Sequence, residues 1–197
     1  MIDSSLLLNA GAVETSYKKG DWIFRQGDHA RFYFLIVKGQ VKMSNFNDQG
    51  QEFVQGLFSE TQSFGEPPLF TDLTYPASAI ASSDCRLIKL AKNKFLDLLL
   101  SNPEFSVSMC ESLAKRLHYK AVMASEISSQ HPEHRILTLL RYLKNEIHTD
   151  SSTPYPVDLT RQQIADMTGL RVETVIRSIK KMEKENLLSI RGRKVYL

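Results

Sequence analysis

Glu173 and Arg177 stand four residues apart within residues 160–188, TRQQIADMTGLRVETVIRSIKKMEKENLL. On a helix that spacing puts both side chains on one face. A guanidinium can bond bidentately to guanine, and a carboxylate can accept from cytosine N4, so the pair could read neighbouring base pairs of duplex DNA. Arg171, Val172, Thr174, Ile176 and Lys180 flank the pair, and Arg161 and Gln162 lie just upstream. All of these are candidate DNA contacts.

The elements that must position them are legible in the same stretch. Thr160 followed by Gln163 fits a capping box and predicts a helix start. Ile164, Ala165 and Met167 supply a small apolar face, and Gly169 predicts the stop. Val172, Val175, Ile179 and Met182 then recur at spacings of three and four, which predicts a second helix with one buried face. Glu173, Arg177, Lys180, Lys181 and Lys184 fall largely away from that face. Two short helices joined by a glycine turn, the second one basic, form the helix-turn-helix pattern that lays its second helix in a major groove. Residues 188–197, LSIRGRKVYL, predict a hairpin to follow. Its tip, Arg191, Gly192, Arg193 and Lys194, suits a wing that touches phosphate.

Charge supports this placement. Residues 131–197 hold twelve Lys and Arg against eight Asp and Glu, whereas residues 1–130 hold thirteen against fourteen. At 197 residues the chain can build two small cores. No run of eighteen apolar residues occurs, and the N-terminal residues lack the basic start of a secretory signal, so no membrane partner is expected. Cys85 and Cys110 are the only cysteines, too few for a disulfide framework. A cytoplasmic location is the expectation. An enzyme is not expected: residues 1–100 hold a single histidine, His29, and no triad, phosphate loop or zinc spacing is present.

The predicted fold class is α+β. Residues 1–101 read as an antiparallel, jelly-roll-like β-roll, with strands over 22–24, 32–38, 40–46, 52–58 and 77–90 separated by glycine and aspartate turns. A short helix is predicted over 93–100. Asn102-Pro103 predicts a helix start, and nothing interrupts the pattern to about Ser129, giving a helix about 40 Å long. Phe105, Met109, Leu113 and Leu117, continued by Ala121 and Ala124, make a stripe assigned to a homodimer seam over residues 102–130, with a helix buried within its own chain as the alternative. His131-Pro132 breaks the helix and marks a candidate hinge. A further helix is predicted over 132–147, with Ile136, Leu137, Leu140, Leu143 and Ile147 inward, then a polar loop over 150–156 and a short strand over 157–159. Residues 131–197 are read as the DNA-binding domain.

This order, with KKGDWIFRQGDHARFYFLIVKGQVKM (18–43), FGEPPLF (64–70) and LRVETVIRSIKKMEKENLL (170–188), resembles the CRP/FNR family of bacterial transcription regulators over nearly the whole chain. The resemblance implies a homodimer on a two-fold-related DNA site, with Glu173 and Arg177 as base readers and RNA polymerase as a further partner. The family's intermediate position, a serine in FNR-like members, is Ile176 here, which could meet a thymine methyl. Arg171 stands where many relatives place a small capping residue. The implied effector pocket falls on Gly65, Glu66, Pro76, Ala77 and Ser78 of the roll and on Lys120 and Ala121 of the long helix. Gly65-Glu66 matches the family's cyclic-AMP-binding members, but Pro76 stands where they carry the arginine that pairs the cyclic phosphate. Proline supplies neither charge nor N–H. Lys120 and Ala121 fall where those members carry a Thr-Ser pair. Cyclic AMP is therefore not expected as the effector, and an iron–sulfur cluster is not expected with two cysteines. His29 and His118 lack any pattern that would make them haem ligands. The alternative is a small-molecule-sensing β-roll whose DNA binding is secondary or lost.

Overall fold

The apolar run over residues 32–38 is too dense for a strand with one wet face, and the fold shows why. In this computed structural model, which describes residues 4–50, 52–129, 131–147, 154–192 and 194–197, that segment is the central strand of a sheet covered on both sides. The chain enters through α1 (Ser4–Asn9), β1 (Val13–Tyr17), β2 (Trp22–Phe24), β3 (Phe32–Lys38), β4 (Val41–Phe46) and β5 (Glu52–Phe58). It continues through β6 (Ser63–Phe64), α2 (Pro67–Thr71), β7 (Ser78–Ala81), β8 (Cys85–Ala91) and α3 (Lys92–Ser101). Two four-stranded antiparallel sheets result, in the orders β1-β8-β3-β6 and β2-β7-β4-β5.

Strand alternation divides the core. Phe34 and Ile36 of β3, with Leu87 of β8, join Phe24, Val41, Phe64, Tyr75 and Ala79 in a cluster of mixed aromatic and aliphatic side chains. Tyr33 and Leu35, with Ile88 and Leu90 of β8, point the other way, into a cluster with Leu7 of α1 and Phe95, Leu98 and Leu99 of α3. Tyr33 stacks on Phe95 with ring centroids 4.4 Å apart.

The segment predicted as one strand over 77–90 is two. The chain leaves the second sheet at Ala81, and the amide of Ser82 donates to the Gln40 carbonyl at 2.8 Å. It re-enters the first sheet at Cys85, whose Sγ also donates to Gln40 O. α1, β1, β6 and α2 are not among the predicted elements.

α4 (Pro103–Ser129) is the expected long helix of 27 residues. Asn102 precedes it, but its amide donates back to Leu98 O at 2.8 Å and so closes α3 rather than opening α4. The seam assignment needs correction over its first half. Met109 is buried in the cluster with α3, and Phe105 and Leu113 pack against that cluster. These three residues hold α4 to its own roll. Leu117, 69% exposed, Ala121 and Ala124 stay uncovered, in line with Val107, which is 68% exposed, Cys110 and Ala114.

The described chain forms two compact units, Met1–Ala114 and Lys115–Leu197. In the second, α5 (Pro132–Ile147) buries Ile136, Leu137, Leu139 and Leu140. The ring of Tyr142 on α5 stacks on Tyr119 of α4 at 3.8 Å. Leu143 is half-buried; the Ile147 side chain and residues 148–153, which include part of the predicted polar loop, lie outside the described residues. β9 is Pro156–Val157, one residue earlier than predicted, because Asp158 and Leu159 form the approach to the next helix. Then come α6 (Arg161–Thr168), α7 (Val172–Lys184), β10 (Ser189–Arg191) and β11 (Lys194–Tyr196). The three strands pair antiparallel in the order β10-β11-β9, with Val195 facing both Ile190 and Val157. No helix among the described residues is long and apolar enough to cross a membrane.

Candidate nucleic-acid interface

The predicted capping box is present with both bonds. Gln163 N donates to Thr160 Oγ1 at 3.1 Å, and Thr160 N donates to Gln163 Oε1 at 2.8 Å. Gly169 ends α6 in the left-handed region at φ 66°. Its amide and that of Leu170 both donate to Ala165 O. That closure ends α6 and leaves three residues before α7 begins at Val172.

α7 is split cleanly by burial. Val175, Ser178, Ile179 and Met182 are buried. Arg171, Glu173, Ile176, Arg177 and Lys180 are exposed, and Val172 and Thr174 are half-buried at the margin. Arg171 is the N-cap in extended conformation, with an exposed side chain that makes no cap bond, as expected of a guanidinium, which has no acceptor atom. Glu173 lies in the first turn, where a carboxylate is favoured by the helix dipole, and Lys181 and Lys184 in the last, where cations are favoured.

The wing is fastened to this helix: Ile190 N donates to Glu183 Oε1 at 3.2 Å. Gly192 turns the hairpin at φ 62°, with no other atoms within 4 Å of the position a Cβ would take. Arg191 is exposed and lies over the Tyr196 ring at 5.2 Å. Arg193 lies outside the described residues. Asp158, Thr160, Arg161, Lys180, Gly192 and Lys194 line a groove of about 520 Å³ within this unit. Three cations therefore face one carboxylate, and Lys194 Nζ pairs with Asp158 at 3.3 Å. Partial burial lowers the Arg161 guanidinium from its ordinary value. Gln162 is exposed and bonds Asp166 at 2.8 Å.

Sequence reading missed two groups that brace the motif. Arg135, on the first turn of α5, donates from Nη1 to Thr168 O at 3.2 Å and from Nη2 to Ile127 O at 3.1 Å. One guanidinium thus caps the C-terminal ends of α6 and α4. Glu133 pairs with Lys181 of α7 at 3.2 Å. Hydrogen bonding from its own amide and then Lys181 hold its carboxyl below the usual range.

In the roll, Gly65 has φ 78° and Glu66 is fully buried. Phe24 and Tyr75 stack at 3.6 Å, and a Cβ on Gly65 would meet their ring atoms at 3.1–3.3 Å. Pro76 is exposed, with its carbonyl accepting from Asn45 Nδ2 at 2.7 Å. Ala77 and Ser78 are buried, and Ser78 Oγ accepts from Gln26 N at 2.9 Å. Lys120 and Ala121 are exposed residues of the second unit. Among the described residues no group of three His, Cys, Asp or Glu side chains is placed to hold a metal ion.

Comparison with known proteins gives both halves a family. Residues 14–102 match the cyclic nucleotide-binding domain, and residues 134–197 match the Crp-like helix-turn-helix domain. The chain is 26% identical over 181 residues to the cAMP-activated global transcriptional regulator CRP of Haemophilus influenzae, covering 91% of this chain and 81% of that protein. Its fold is similar to that of the c-di-GMP responsive global regulator CLP of Xanthomonas campestris, with TM-score 0.73, 22% identity and 99% of each chain covered. It is also similar to FixK2 from Bradyrhizobium japonicum, with TM-score 0.77, 18% identity and coverage of 94% and 92%. With a capped helix-turn-helix, a wing and an antiparallel roll in this order, the chain belongs to the CRP/FNR family of DNA-binding transcription regulators, which are not enzymes.

Proposed function

We propose that the protein acts as a homodimer on a two-fold-related DNA site, with Glu173 and Arg177 reading base edges and basic groups around the groove holding the backbone. The observation that carries this reading is the outward face of α7. Glu173, Ile176, Arg177 and Lys180 stand exposed there while Val175, Ile179 and Met182 fill the core behind them. Phosphate contacts would come from Arg171 and from Arg161, Lys180, Arg191 and Lys194, and would position the reader without specifying sequence. Arg193 and Gln162 belong to the same proposed surface.

The dimer seam of this reading is the exposed stripe of α4. Val107, Cys110, Ala114, Leu117, Ala121, Ala124 and Ser128 recur at alternating intervals of three and four, the spacing that lets two helices pair along their length. RNA polymerase is the partner through which a bound dimer would alter transcription.

Cyclic AMP is not the proposed effector, although the Haemophilus influenzae relative is named for it. Three observations support this. Pro76 stands where a phosphate-pairing arginine would be needed, and a buried phosphate without a cation is costly. The stacked Phe24 and Tyr75 rings crowd Gly65. Glu66 is fully buried. An iron–sulfur effector fails on ligand count, with two cysteines in the chain, Cys85 and Cys110.

Selection from a random duplex pool, with and without cyclic AMP, tests the whole reading. A two-fold-symmetric site is expected in both arms at equal affinity. Enrichment only with cyclic AMP would overturn the effector argument, and an asymmetric single half-site would overturn the dimer.

A further inference from the structure

Ile176 is an apolar side chain in a place where the core has no use for it. Its neighbours Val175 and Ile179 take the buried face of α7, at 0% and 1% exposure, whereas Ile176 is 40% exposed. A β-branched residue is also a poorer helix former than the Arg, Lys or Glu common at exposed positions, so the helix itself gains nothing from it. Its position is informative. Glu173, Ile176, Arg177 and Lys180 follow the i, i+3, i+4, i+7 pattern of a single helical face, all of them exposed. Ile176 therefore sits between the carboxylate and the guanidinium proposed to read bases, as the one member of that face unable to hydrogen-bond.

The floor of a major groove presents donors, acceptors and one apolar feature, the C5-methyl of thymine. Donors and acceptors left facing Ile176 would lose water without gaining a partner, which disfavours the other bases at that step. We propose that Ile176 is a specificity-determining residue that packs on a thymine C5-methyl, so that each half-site carries a thymine beside the base pairs addressed by Glu173 and Arg177. This rests on α7 being the DNA reader and goes further, by naming the group that one residue recognises.

Deoxyuridine differs from thymidine by that methyl alone and gives a direct test. A site selected from the random pool is resynthesised with each thymine replaced singly by deoxyuridine. Binding is then measured for the wild-type chain, Ile176→Ala and Arg177→Ala. One thymine in each half-site is expected to show about a fourfold weakening on replacement, the worth of one buried methyl-sized group. Replacing both symmetric thymines should weaken binding about fifteenfold. With Ile176→Ala the deoxyuridine penalty at that position should vanish. The proposal is overturned if no thymine responds, or if the penalty survives in Ile176→Ala. Weakened binding by Arg177→Ala with no methyl-sensitive thymine leaves the DNA reader standing and removes only the methyl contact. Failure to enrich any site, even with cell metabolites added, would remove both.

Discussion

Replacing Arg135 with methionine isolates the clamp between α5, α6 and the end of α4. Methionine keeps most of the apolar stem and deletes the two donors to Thr168 O and Ile127 O. A hydrogen bond from a charged donor is worth about 1.5–3 kcal/mol. The distances of 3.2 and 3.1 Å, and a half-buried side chain, place both bonds at the lower end, near 3 kcal/mol together by that scale. Each acceptor lies in the last turn of its helix, where a cation adds about 0.3–1 kcal/mol. Against this, Arg135 Nε is buried without a partner, which costs about 1–3 kcal/mol and disappears in the variant. The net loss should be about 2 kcal/mol.

For a unit the size of Lys115–Leu197, that corresponds to a fall of roughly 8–16 °C in its melting transition, at about 4–8 °C per kcal/mol. Calorimetry on the full chain would read it. Hydrogen exchange should show the loss concentrated in the last turns of α4 and α6, whereas α3 and the roll keep their protection. A loss below about 0.5 kcal/mol, the ordinary scatter of surface substitutions, would refute the clamp. So would exchange that rises evenly over the whole unit. Arg135→Lys should recover part of the stability, since an ammonium can reach one carbonyl but not fork to two.

Arg177→Ala should cost about 1–3 kcal/mol per half-site and relax one position of the selected sequence. Lys194→Ala should weaken all sequences alike and lower the salt slope by about 0.9 per lost phosphate contact, and identical behaviour of the two variants in titrations from low to high salt would refute the division of roles. Thr160→Ala removes the 3.1 Å cap on α6 and should cost about 0.5–2 kcal/mol by thermal unfolding, with Thr160→Ser close to wild type; equal losses in both would mean that the hydroxyl is not the cause. Cys110 is exposed on the α4 stripe and Cys85 is buried, so mild oxidation should give a disulfide-linked dimer on non-reducing gels that Cys110→Ser abolishes; a dimer in sedimentation whose Cys110 thiols never link would put the seam elsewhere.

The helix-turn-helix was legible because its determinants are local. Thr160 and Gln163 satisfy each other across three residues, Gly169 supplies its own left-handed turn, and the α7 face repeats within one helix. What failed to show were pairings with no local signature. β1, VETSY, has no buried residue and is an edge strand held by backbone pairing to β8, so its side chains do not advertise it. The strand predicted over 77–90 has suitable residues throughout, and only the switch from one sheet to the other divides it. Periodicity every four residues revealed a face on α4 but not what covers it. Phe105, Met109 and Leu113 face α3 and β8 residues, while the exposed stripe runs along another side of the same helix. Arg135 was invisible for a different reason: its acceptors are backbone carbonyls, which every residue has.

The exposed stripe on α4 bears on whether one reader could suffice. On the proposed reading, one copy of α7 offers Glu173, Ile176 and Arg177 to base edges. Each good bidentate pair discriminates by about 1–3 kcal/mol, and a methyl contact adds less. With Arg177 as its one bidentate contact, Glu173 as a single hydrogen bond and Ile176 as a methyl contact, a single copy thus reaches roughly 3–5 kcal/mol, a preference of about 10²–10⁴. A genome presents about 10⁶–10⁹ competing sites, and the phosphate contacts of the basic groove favour all of them equally. Raising charge would therefore strengthen binding everywhere without improving the choice. Joining two identical readers through α4 doubles the discriminating free energy while keeping each surface small, and it converts a preference of about 10³ into one near 10⁶. The modest excess of four positive charges in residues 131–197 fits a protein that gains selectivity by pairing rather than by charge.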